Sequence, residues 1–160
     1  MTAKTSTYVR YGLLDLVLIS AACLLPALSH VVGLPLYRLN PMLALLLTGI
    51  LLSRNWRNAL FLAILMPLAS CLLVGMPTAG KMVCMVAELL TVTALFAALS
   101  RRWSVLPAIL TSILAAKGVY YALKAIILAP AMLVGTEWWM QAGTVIVWAG
   151  VFALLYKKLR

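Results

Sequence analysis

The sequence predicts an all-α integral membrane protein, a bundle of six transmembrane helices with the N- and C-termini both on the cytoplasmic side (N-in/C-in). Three observations carry that expectation. Hydrophobic residues make up 66% of the 160 residues and charged residues 10%, too few polar side chains to cover a water-soluble surface. Six apolar runs, at 13–29, 41–53, 58–74, 82–99, 104–129 and 141–156, approach the length of a membrane helix. The basic residues collect in alternate connections between those runs.

The first run follows Lys4 and Arg10 and continues through Leu24-Leu25-Pro26-Ala27. No small-residue cleavage signature follows it, so it reads as a retained helix. The second run is short as written. It extends backwards through Leu36 to Leu39, or it is tilted or partly re-entrant; five spans is the alternative count. The third follows the compact turn SRNWRN and the fifth follows SRRW, turns with no room for a soluble domain. Pro26, Pro67, Pro107 and Pro130 mark kinks or ends. The last run begins after GTEWWMQ, whose paired tryptophans suit a membrane interface.

Charge tests this order independently. The chain carries 13 Lys and Arg against three acids, Asp15, Glu88 and Glu137. With six spans and the N-terminus inside, Lys4, Arg10, Arg54, Arg57, Arg101, Arg102, Lys157, Lys158 and Arg160 are cytoplasmic, while Arg38, Lys81 and Glu137 are outside. A shift of one span scrambles that asymmetry. The basic excess therefore reports topology, and no basic tract with interleaved aromatics points to nucleic acid.

The stretch GMPTAGKM at residues 75–82 reads Gly-x-x-x-x-Gly-Lys. A phosphate-binding loop needs a preceding strand and a Ser or Thr after the lysine; here a membrane run precedes it and Met82 follows. Gly75, Pro77 and Gly80 read instead as an outer turn, with Lys81 opening a helix. Cys23, Cys71 and Cys84 lie in or beside apolar runs without a Cys-x-x-Cys pair, and His30 is alone. The expectation is small packing residues, with no metal site and no cofactor.

Ionisable groups inside a span are costly and face a cavity or one another. Lys81 and Glu88 are seven apart on the fourth run, roughly 10 Å along one helix face. The fifth run carries KGVYYALK, which places Lys117, Tyr120, Tyr121 and Lys124 in one polar-aromatic stripe. Two readings follow: a buried ion pair that sets helix register, or an outward-opening ligand cavity lined by these six residues. Three lysines against one acid favour the cavity and an anionic or zwitterionic ligand. The outer segment SHVVGLPLYRLNP adds His30, Arg38 and Asn40 as candidates at its mouth, and Trp138 is a candidate stacking wall.

The segments ALSHVVGLPLYRLNPM, GKMVCMVAELL and KGVYYALK, within this layout, resemble the substrate-binding S components of energy-coupling factor (ECF) vitamin transporters. The resemblance implies a pocket at Lys81, Glu88, Lys117, Tyr121 and Lys124, gated by the loop at 29–41, that captures a small-molecule nutrient at the outer face of the inner membrane. It implies as partners a transmembrane T subunit and two cytoplasmic ATPase subunits. The family's Ala-x-x-x-Ala docking motif is not present as such; Cys23-x-x-x-Ala27, beside Ala22, is the nearest equivalent. A second resemblance, to the MreD scaffold subunit of the cell-shape machinery, would predict stable protein partners and no small ligand. Enzymatic readings lack their residues: there are no paired facing acids and no His-Glu-x-x-His.

Overall fold

The computed structural model describes residues 3–32, 39–128 and 138–158, without the side chains of residues 3–8, 30, 32 and 138. Among the described residues the chain forms six helices: α1 (Ala3–Val32), α2 (Pro41–Ser53), α3 (Trp56–Val74), α4 (Ala79–Leu99), α5 (Val105–Leu128) and α6 (Trp138–Lys158). The five other than α2 are long and apolar enough to cross a membrane. Their outward faces carry large apolar side chains: Leu16 is 62% exposed, Leu73 77% and Ile126 79%. Water would penalise such faces and lipid accommodates them. Thr48, Thr91, Thr93 and Ser112 turn their hydroxyls onto carbonyls of their own helices, as an environment without water requires. This is an all-α, multi-pass membrane protein.

The helix directions follow from contacts at the two ends. Asn58, in the first turn of α3, donates to Asp15 of α1, while Ser70 of α3 and Ser29 of α1 line one cavity at the other end. Helices α1 and α3 therefore run parallel, and the chain between them returns through α2. Helix α4 starts at the cavity end, α5 ends there and α6 starts there. At the opposite end Phe96 of α4 stacks edge-on with Trp56, Phe152 and Tyr156, with ring centroids 5.2 to 5.9 Å apart. That end also carries Arg54, Arg57, Arg101, Arg102, Lys157 and Lys158.

Helix α2 matches the short run read from the sequence, and the structure explains its length. Its 13 residues reach about 20 Å, less than the roughly 30 Å of a hydrocarbon core. It packs on α1, α3 and α6 and buries Met42, Leu43, Leu46, Leu47, Gly49, Ile50, Leu51 and Ser53. A helix apolar all round belongs inside a bundle. A Cβ at Gly49 would stand 2.7 Å from Leu62 Cδ1 and 3.2 Å from Leu18 Cδ1, so the absent side chain lets α1, α2 and α3 meet. The backward extension to Leu36 lies outside the described residues; Leu39 precedes the helix rather than belonging to it.

One turn is shorter than the sequence suggested. Gly75 caps α3 in the left-handed conformation, φ 74°, which its missing Cβ permits. Gly80, however, lies inside the first turn of α4, where a Cβ would come within 2.9 Å of Leu128. It serves the close approach of α4 and α5 rather than the turn.

Candidate functional site

Helices α4 and α5 are antiparallel and form the most extensive helix pair of the bundle. Each carries charged residues seven apart, about two turns. Antiparallel packing sets the two pairs against each other in reverse order, as two levels roughly 10 Å apart. Lys81 and Lys124 form the outer level and Glu88 and Lys117 the inner one.

The inner level is tightly built. Lys117 Nζ lies 2.8 Å from Glu88 Oε1, with the two side chains 12% and 4% exposed. Asn40 Nδ2 donates to the same Oε1 at 3.1 Å. The Lys117 ammonium also stands 5.4 Å from the Tyr120 ring centroid, within cation–π range, and Tyr121 meets Tyr120 edge-on at 5.3 Å. Charge so deep in an apolar bundle requires a partner, and here it has one together with a neutral donor.

Asn40 reaches Glu88 because α2 starts inside the bundle. Glu88 lies about 14 Å along α4 from Ala79, at 1.5 Å per residue, so the α2 N-terminus is level with the middle of α4. Asn40 adopts φ 49° and ψ 58°, a left-handed conformation that asparagine tolerates. On the other side Trp148 Nε1 of α6 donates to the Leu39 carbonyl at 2.8 Å. Backbone left unpaired at this depth survives only inside protein or against a wet cavity; these two side chains hold it there.

Above that floor is a cavity of about 540 Å³, within the usual range for small-ligand sites. Lys81, Glu88, Lys117, Tyr120, Tyr121, Lys124 and Asn40 all line it. Arg38 lies outside the described residues, as do the side chains of His30 and Trp138. Of the docking candidates, Ala22 is fully buried in the core, which removes its side chain from any partner surface. Cys23 is half-buried and Ala27 exposed. Among the described residues no three His, Cys, Asp or Glu side chains converge on a point where a metal could sit.

The structure adds lining residues that the sequence reading passed over. Met85 shares the helix face of Lys81 and Glu88, at i+4 from the first, and spacing alone could have found it. Gln141 of α6 and Ser70 of α3 also reach the cavity, and Ser70 donates to the Met76 carbonyl at 2.6 Å, steadying the α3–α4 turn. Trp148 had no local signal, because its partner is 109 residues away. Nor did Asp15, which accepts from Asn58 at 2.7 Å.

Fold and site together define a multi-pass helical membrane protein with a charged, aromatic cavity toward one end. No protein family, no curated protein and no solved structure matches the chain.

Proposed function

We propose that this chain is the substrate-binding subunit of an ECF-type transporter, taking up a small anionic or zwitterionic nutrient at the outer face of the inner membrane. The observation that carries the reading is the cavity itself, about 540 Å³, with the charged stripes of α4 and α5 converging in it. It opens at the end opposite the basic turns, and basic connections face the cytoplasm in multi-pass proteins. We accordingly assign six crossings, counting the short α2 as the second, with both termini in the cytoplasm. A helix that begins at mid-depth beside a ligand cavity is a recurring device of transporters. Energy coupling falls to a T subunit and two ATPase subunits, for which Cys23 and Ala27 on α1 remain the candidate contact.

The test is native mass spectrometry on protein released gently from its own membranes. A bound small molecule, or co-purified T and ATPase subunits, is the expected result. An empty protein accompanied by cell-wall synthesis proteins would instead favour an MreD-like scaffold. One observation suits that second reading: a 2.8 Å Glu88–Lys117 pair is also what a register-fixing lock looks like.

A further inference from the structure

Charge is unevenly distributed between the two levels of the cavity. At the floor Lys117 is neutralised by Glu88, and Asn40 adds a neutral amide. At the mouth Lys81 is exposed and Lys124 half-buried, and neither has an ion pair among the described residues; Glu137 lies outside them. Both lysines line the same cavity. Among the described residues that line the cavity, the excess of positive charge therefore sits at the outer level.

A ligand anion placed at the floor would meet the Glu88 carboxylate and a lysine already paired, and would have to shed its water at mid-membrane depth. Placed at the mouth it would meet two lysines that have no ion pair among the described residues, and it would stay partly hydrated. Between the levels the wall offers Met85 and the two tyrosines, which suit an uncharged middle. Building on the binding-subunit reading above, we infer that the ligand enters end-on. Its carboxylate or phosphate rests between Lys81 and Lys124, and an uncharged hydrogen-bonding end, roughly 10 Å further in, seats against Glu88, Lys117 and Asn40.

Charge-selective labelling tests this without knowledge of the ligand. Met85→Cys, one turn inward of Lys81, is introduced with Cys23, Cys71 and Cys84 replaced by alanine, and the protein is placed in phosphatidylcholine nanodiscs. Its reaction rates with sulfonatoethyl methanethiosulfonate, an anion, and trimethylammonioethyl methanethiosulfonate, a cation, are each divided by the rate with a free thiol. Two lysines about one helical turn away should favour the anion roughly tenfold at low ionic strength, and added salt should erode the preference. Lys81→Gln/Lys124→Gln should abolish it and Lys81→Arg/Lys124→Arg should retain it. No preference in the parent protein, or a preference lost in Glu88→Gln/Lys117→Met but kept in the Lys81→Gln/Lys124→Gln variant, would overturn the orientation.

An anionic lipid headgroup shares this chemistry, so the measurement is repeated with phosphatidylglycerol in the discs. Comparing the parent with its double glutamine variant in the same discs cancels the surface potential. A difference that persists supports a soluble anion; one that vanishes assigns the mouth to a headgroup and overturns the proposal. These rates are read whether or not a nutrient is found by mass spectrometry, so the two readings fail separately.

Discussion

Glu88 is the residue on which the inner site turns, since it accepts from Asn40 and pairs with Lys117 on one oxygen. Removing one partner of a buried pair strands the other, typically at about 3–5 kcal/mol. Lys117→Met and Glu88→Gln should each lower stability by an amount of that order, and Lys117→Met/Glu88→Gln should recover most of it, as read from unfolding in mixed micelles. Ligand binding separates the two roles of the pair. If it only sets register, the double variant binds normally; if it floors the site, binding stays lost although stability returns. The stripe that identifies these residues is legible in the sequence, because spacing of seven on a helix needs no knowledge of neighbours. Which lysine pairs with the acid is not legible, because that depends on α4 and α5 being antiparallel and in register.

At the scale of elements, α2 is the unusual piece. Its start is held by Trp148, whose N–H meets the Leu39 carbonyl. Trp148→Phe keeps a ring at that position but removes the donor to the carbonyl, a loss of about 0.5–1.5 kcal/mol. Faster hydrogen exchange at the amides of residues 42–44, with the rest of α2 unchanged, is the expected sign. Gly49 is the other constraint. Gly49→Val drives a side chain into Leu62 and Leu18 and should cost about 1–3 kcal/mol by overpacking, again in mixed micelles. Gly143, with open space around its α-carbon, should accept alanine without loss. The end of α2 was readable from the polar turn after Ser53, whereas its start was left open between Pro41 and an extension back to Leu36. Its burial on three sides was not readable, because an apolar segment reads the same whether lipid or protein surrounds it.

Over the whole molecule, the asymmetry between the ends predicts sidedness. In a cysteine-free background, Thr78→Cys should react with a membrane-impermeant maleimide added to intact cells. Arg102→Cys should react only after the membrane is opened. Thr78 lines the cavity and Arg102 lies in the α4–α5 turn at the other end, so labelling of both from one side would sink the N-in/C-in assignment.

By itself the sequence determined what depends on the local run of the chain. Apolar segments show where helices lie, the lack of polar surface shows that lipid is their solvent, and the heptad spacing shows which charges share a face. The tertiary structure decided everything that depends on distant residues meeting. It set α2 at mid-depth against Glu88, turned Ala22 inward, gave Asp15 its amide partner, and neutralised Lys117 while leaving the positive excess to Lys81 and Lys124. The reason is physical: hydropathy and charge act on each segment separately, whereas pairing is a property of how segments pack, which no single segment carries.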